Sequence, residues 1–543
     1  MMDNEMVEPR TYSGNGHDAI IADPGNITRE ECLALAQCGA DAWNAWRNEF
    51  PTRGGWSAPY KNYANFSEQD FTVEFVDFGK FQFGHGASFS DAKFFQALFA
   101  EAEFGRDTRF IGAQFEGWVS FEGAKFGTDA GFDRCRFGAS TTFEECQFDS
   151  RATFVGATFD EALNMRGVVF GDETNFDWAR FGHRASFVGA LFVGNATFVA
   201  TTIGFEADFS GLMVGGSLSF EATIFEGQTS FQALSWGALN HESRASSLLE
   251  ELAKDRQASP WVFKAISFQG ARFEGSVDFS DRHFEGVTEF SKTRFETDAP
   301  FLMEDCLPSR VCKELIPSEG GQMRLPKGRH VEFAMVPEFF QCKLHQNSSF
   351  EGAVFPAAQG TEDAARAYRV LKQAFSAQQA TREEQRFFRL EMAEEALIAW
   401  PLWALLSAWW ELRKQGLQAE MPTPRFLYRL YAGISNFGFS TARPAGLFLL
   451  AVLLATAAYG SQAGLVFCWP SEGDGCRMAG PLIQFAAAHA LPGFEKLAEP
   501  ASNALFGKNL GVWTVLTVVL HKAVSILALF LIGLALRNLF KMK

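Results

Sequence analysis

Lys522 is the residue whose type and place in the chain most suggest chemistry. With His521 it interrupts an apolar run, Leu510 to Leu536, that is otherwise free of charge. A cation buried in a bilayer is costly and marks function by default. If the run is one straight span, Lys522 lies near mid-membrane, where it lines a pore or pairs with a carboxylate of a neighbouring subunit. If 510–521 is instead a separate interfacial helix, Lys522 snorkels to the headgroups, and the stretch left to cross is short for a span. Cys468 and Cys476, flanking WPSEGDG, are a second pair. On an oxidising side of the membrane they form a disulfide; otherwise they are two free thiols.

Elsewhere the signals for catalysis are missing. The chain has no HExxH, no GxxxxGK[ST], no GxGxxG after a strand and no GxSxG, which removes the usual zinc, phosphate, dinucleotide and nucleophile-elbow chemistries. The nine histidines are scattered, and the nine cysteines show neither CxxC pairing nor metal-ligand spacing. Carboxylate pairs such as Glu144-Glu145 and Asp160-Glu161 fall at outward repeat positions and read as a solvated face. No enzymatic activity, metal or cofactor is expected. The net charge is −16, with 64 acidic against 48 basic residues, which argues against binding nucleic acid through its phosphates.

The elements that would position these residues start from a beat of phenylalanines. One series runs Phe110, Phe121, Phe132, Phe143, Phe154, then Met165, then Phe176 to Phe231 in steps of 11; a second, offset by five, runs from Phe115 to Phe225 and ends at Trp236. A short fixed period is the signature of a solenoid. The chain has 59 Phe but 7 Tyr, as expected of fully dry rings with no hydroxyl to satisfy. Two residues before each ring stands a small side chain, among them Ala113, Ala124, Cys135, Cys146 and Ala157. Positions i and i−2 share a face of an extended segment, so large and small side chains point inward together. Glycines 112, 123, 156 and 189 fall at the corners, which need permissive backbone.

The stretches Gly112 to Phe115, Gly123 to Phe126 and Gly189 to Phe192 read G-A-x-F, which resembles the tandem A-x-F-x-x or A-x-L-x-x of pentapeptide-repeat proteins. The resemblance implies a right-handed quadrilateral β-solenoid. The extra residue in every second unit makes 11-residue double units and coils of 22 residues. Phe437-Gly438-Phe439-Ser440 followed by Arg443-Pro444 resembles the YGxSxxRP stretch that leads into the membrane in bacterial pentapeptide-repeat proteins with a C-terminal two-span membrane segment, with Phe437 in place of Tyr. Ala535-Leu536-Arg537-Asn538 with Phe540 resembles their LRNRFR ending, and Tyr368-Arg369-x-Leu371-Lys372 their lead-in. The resemblance runs from about residue 60 onward; it is specific for architecture and silent on activity.

The expected organisation is an N-terminal helical cap (1–60), a solenoid (61–237), a helical insertion (238–265) and a solenoid continuation (266–358) with a loop insertion at 307–331. A helical linker with interfacial helices (359–443) and two transmembrane helices with an external connection (444–543) complete it. The cap should be one amphipathic helix over 28–50, opened by Thr28 with Glu31 as its capping-box partner; residues 361–395 should supply a helical counterpart. Each insertion is either a surface excursion or a partner-binding element. Residues 396–410, short and Trp-rich, should lie at the interface, and Pro481 to Pro492 should be re-entrant or interfacial.

Arg425, Arg429 and Arg443 precede the first span and Arg537, Lys541 and Lys543 follow the second. The positive-inside rule then puts both termini in the cytoplasm and the connection outside, in an inner (cytoplasmic) membrane. These features suggest a membrane-anchored cytoplasmic β-solenoid, a scaffold or sensor that binds a protein partner on its surface and assembles as a homo-oligomer in the lipid bilayer. The alternative is an oligomeric channel or pore gated by the solenoid. A minor alternative, a DNA-mimicking binder of a topoisomerase, draws on the 24 acidic and 11 basic residues of 66–236, but a membrane tether argues against it.

Overall fold

The computed structural model of the protein describes residues 8–55, 58–235, 238–239, 253, 258–279, 281–296, 316–317, 323–324, 331–342, 344, 350, 353–356, 358–398, 426–438, 440–464, 479–507 and 510–541. The chain divides into two compact units, Met1–Ala357 and Ala358–Lys543.

In the first unit, the cap opens with an antiparallel hairpin, Arg10–Gly14 with His17–Ile21. The expected single helix is two, α1 (Arg29–Gln37) and α2 (Ala40–Glu49). Thr28 and Glu31 do form the capping box. The break comes at Gly39, whose φ is +87°, a left-handed conformation that a helix cannot continue through. Trp43 of α2 closes the end of the solenoid, its ring 5.8 Å from Phe66 and 5.6 Å from Phe81, and its Nε1–H donates to the Gln82 carbonyl at 2.8 Å.

The body is a β-solenoid of short parallel strands stacked in columns, the longest with ten strands. The 22-residue coil is explicit in the pairing: Phe104 lies beside Phe126, Phe126 beside Phe148 and Phe148 beside Phe170. Rings in register stack almost flat, as for Phe110–Phe132 at 4.9 Å and Phe126–Phe148 at 4.5 Å, while neighbouring ladders meet edge to face, as for Phe121–Phe132 at 89°. Both geometries suit the ring quadrupole. At the small inward position Cys135 and Cys146 donate to the carbonyls of Phe110 and Phe121 at 2.8 Å, and Thr201 and Thr293 do the same to Phe176 and Phe268. Gly112, Gly123, Gly156 and Gly189 turn corners at φ +65° to +72°.

The stack runs through both insertions without losing its ladder. Leu218 pairs with Ile266 and Phe225 with Phe273, a step of 48 residues in place of 22, so one coil simply loops out the difference. Phe284 pairs with Phe333 in the same way. The first insertion is docked: Ala253 and Ala258 are buried against Leu191 and Met213, flanked by Val169 and Val193. These apolar residues sit at or beside outward strand positions that are polar in other coils. Most of 238–257 and of 307–331 lies outside the described residues.

In the second unit, α3 (Glu362–Ala377) and α4 (Thr381–Ile398) form a hairpin that buries Tyr368, Leu371, Phe375 and Phe387. Glu394, fully buried, accepts from the Gln359 and Gly360 amides at 3.0 and 2.6 Å, supplying the negative charge that a helix N-terminus favours. There follow α5 (Phe426–Ser435), α6 (Ala442–Gln462), α7 (Ala479–Ala490), a 3₁₀ turn (Glu495–Ala498), α8 (Glu499–Phe506) and α9 (Val512–Lys541). The expected interfacial helix at 396–410 lies outside the described residues beyond Ile398, as do Cys468 and Cys476.

Candidate functional site

The polar residues singled out in the apolar C-terminal run converge with others at the two ends of the α6–α9 pair. At one end the stretch that leads into the membrane makes a tight corner. Gly438, at φ +80°, donates its amide to Ser435 Oγ at 3.1 Å. Its carbonyl accepts from Asn538 Nδ2 at 3.1 Å. A Cβ there would stand 2.7 Å from the Tyr431 hydroxyl, so glycine is required twice over, by φ and by space. Ser440 Oγ accepts from the Arg443 amide, and Arg443 Nη1 donates to the Ala432 carbonyl at 2.9 Å. Pro444 falls in the first turn of α6, where its missing N–H costs nothing. Gly438, Ser440, Arg443 and Pro444 thus build the joint between α5 and α6 and tie it to Asn538 near the end of α9.

At the other end, Tyr459 Oη and His521 Nδ1 are 3.2 Å apart, and Gln462 Nε2 donates to Thr517 Oγ1 at 3.0 Å. Lys522 Nζ is 2.7 Å from Glu495 Oε1 in the 3₁₀ turn, and the Lys522 ammonium, through that hydrogen bond and its charge, holds the Glu495 carboxyl below its usual range. His489 of α7 packs edge-on to Phe485, 4.5 Å between rings; burial first, then the charges of Lys522 and His521, push its imidazole down.

These contacts place Lys522 relative to α6. α9 is continuous from Val512 to Lys541, so the separate interfacial helix over 510–521 does not form; no glycine or proline stands between Val512 and Ile532 to break it. Mid-membrane placement does not follow from straightness, however. His521 is level with Tyr459, three residues from the end of α6, so Lys522 lies about 6 Å along the axis from the level of Gln462. About six residues at the start of α9 run on past the end of α6. Lys522 therefore sits toward the connection end of the α6–α9 pair, and its carboxylate partner comes from its own chain.

Ala442–Gln462 and Val512–Asn538 are each long and apolar enough to cross a membrane, with mean hydropathies of 1.7 and 2.4. The core helix of a soluble protein can pass the same test, but it would be mostly buried; here 22% and 28% of the windows are. Leu449, Leu453, Leu454, Leu520 and Phe530 all stand more than 60% exposed. Between the two helices the connection folds back: Phe485, Ala486, Ala488, Ala498 and Ala501 pack on Ala455 and Tyr459.

Among the described residues of the first unit, the carboxylates singled out in the sequence meet outward ion pairs and hydrogen bonds. Asp160 pairs with Arg136 at 3.0 Å and Glu144 accepts from Asn164, both outward. Among the described residues no three His, Cys, Asp or Glu gather to hold a metal. Two features escaped the sequence reading. Arg282 is fully buried at the inward position two before Phe284, where other coils carry Ala, Cys, Thr, Val or Leu; a charged residue there was the available signal. Its guanidinium donates to the carbonyls of Phe231, Leu212, Pro260, Phe209 and Gln232 and lies 4.2 Å over the Phe263 ring. The second is an apolar corner: Val73, Phe75, Phe95 and Trp118 are all exposed, with Phe75 and Trp118 in ring contact at 5.7 Å. Trp118 also rims a groove of about 480 Å³ that ends at Arg166 and Arg184.

Ladders of stacked inward rings, with a strand pair every 22 residues, define the class: a β-solenoid repeat protein. The family model for pentapeptide repeats (9 copies) matches residues 78–125, 121–168 and 154–202, so the chain carries a pentapeptide-repeat solenoid, joined in the same chain to two helices able to cross a membrane. No curated protein matches the chain.

Proposed function

We propose that the protein is a membrane-anchored scaffold or sensor whose solenoid binds a protein partner and performs no catalysis. The observation that carries this reading is the exposed corner of Val73, Phe75, Phe95 and Trp118 on a rigid body whose other outward strand positions are mostly polar. Large apolar side chains clustered in water on a scaffold of this stiffness mark an interaction surface. The α6–α9 pair would anchor that surface in an inner membrane, with both termini in the cytoplasm and the 465–511 connection outside, where Cys468 and Cys476 would be oxidised to a disulfide. The in-chain partner of Lys522 speaks against a pore lined by that residue.

The test is crosslinking mass spectrometry on cells expressing the full chain, comparing wild type with Phe75→Ser/Trp118→Ser. The reading expects one partner crosslinked near this corner, lost from the double variant while membrane insertion persists. Crosslinks to a partner that are unchanged in the variant would move the interface elsewhere, and the absence of any partner in wild type would overturn the scaffold.

A further inference from the structure

We propose that His489 and His521 form a proton-binding latch, which holds the returning segment 479–507 against the two long helices at neutral pH and releases it on acidification. The inference does not depend on the solenoid having a partner. It rests on what gathers around one carboxylate. The returning segment rests on α6 and α9 through the apolar cluster around Tyr459 and Phe485, and its one polar tie to them among the described residues is the Lys522–Glu495 pair. Two imidazoles flank that tie. His521 is 3% exposed, shares Nδ1 with the Tyr459 hydroxyl and leaves Nε2 without a partner; His489 leaves Nδ1 buried and without a partner. One turn below His521, Ser525 Oγ is likewise buried and unpartnered, so the pocket offers no second anion.

The other groups on the packed elements do not compensate. Tyr459 is a neutral phenol, Gln462 and Thr517 carry no charge, and Lys496 and Glu499 point to the exposed side. With both imidazoles neutral, the cluster holds one cation and one anion. With both protonated it holds three cations to one anion, and like charges at close range oppose packing. Burial and the neighbouring cations already press the His489 imidazole down, so the packed state binds protons less readily than the released one. Its stability is therefore full above the ordinary histidine value, about 6.5, and falls as pH drops below it.

The experiment is hydrogen–deuterium exchange of the full chain in lipid nanodiscs, read on peptides covering 479–507 at about pH 8 and about pH 5.5, on either side of the histidine range, after correction for intrinsic rates. In wild type, exchange of this segment should rise by about tenfold or more at the lower pH, with the α3–α4 hairpin unchanged. His489→Gln/His521→Gln should stay protected at both values. No rise in wild type, or a rise of equal size in the double variant, overturns the latch. Should His521→Gln fail to insert, His489→Gln alone carries the test: it removes one of the two added charges, and a response as large as wild type overturns the proposal.

Discussion

Replacing Arg282 by Met should unfasten the solenoid at its first insertion. Arg282 reaches five backbone carbonyls, and they are not equivalent. Phe209 and Gln232 already accept from the Leu212 and Gly211 amides, so they tolerate its loss. Those of Leu212, Phe231 and Pro260 accept from Arg282 at normal or shorter hydrogen-bond distance, and among the described residues no backbone amide serves them. A buried acceptor left unpaired costs about 1–3 kcal/mol. Removing a buried cation also removes its desolvation cost, which offsets part of this. Met fills much of the volume, so little cavity is added. The net loss should be about 3–5 kcal/mol. Because coils in a solenoid interact mainly with their neighbours, the loss should be local. Hydrogen exchange of the full chain should show protection falling in 205–235 and 258–290 while 110–170 keeps its wild-type rates. Arg282→Lys, with a single ammonium able to reach some of these carbonyls, should fall between the two. A change below about 1 kcal/mol, or an equal loss along the whole rod, would refute the assignment of Arg282 as the clasp of the insertion.

Gly438→Ala should destabilise the second unit by at least about 1–2 kcal/mol, since it forces a left-handed φ on a residue with a Cβ and drives that Cβ into the Tyr431 hydroxyl; urea unfolding in detergent micelles measures it, and Asn538→Leu should weaken the same corner. Cys135 and Cys146, whose thiols burial pushes well above their ordinary value, should resist iodoacetamide at about pH 8.5 in the folded protein and react once it is unfolded; mass spectrometry of the alkylated peptides decides. Cys146→Thr should be tolerated, because Thr201 and Thr293 make the same bond to a ring-bearing coil. Liposomes carrying Lys522→Leu should show the same ion permeability as wild type, and a flux that the substitution alters would restore the pore reading.

How much could be read along the chain differs between the two units for a physical reason. In the solenoid each coil packs on the next, so a local rule (ring, small residue, corner) repeats in the sequence as it repeats in space; the 22-residue pairing was legible from Phe110 onward. Arg282 and the apolar outward residues Leu191 and Met213 were legible only as departures from that rule. Their meaning depends on 231–261 leaving and rejoining the stack. The cap read as one helix because its apolar spacing passes through Cys38 and Gly39; Gly39 could have been taken as a stop, but nothing local shows Asn15 of the hairpin packed against it.

Sequence by itself determined the repeat, the two apolar helices and the oddity of a lysine in a hydrophobic run, because each follows from residue type and spacing within a few turns of chain. Tertiary structure alone decided what Lys522 is. Its level along α6 depends on the offset between α6 and α9, set by Tyr459–His521 at one end and Gly438–Asn538 at the other, and its charge is answered by Glu495, 27 residues away across a reversal of the chain. Pairings of that kind are fixed by how separate helices slide against one another, and no pattern along one helix encodes the slide.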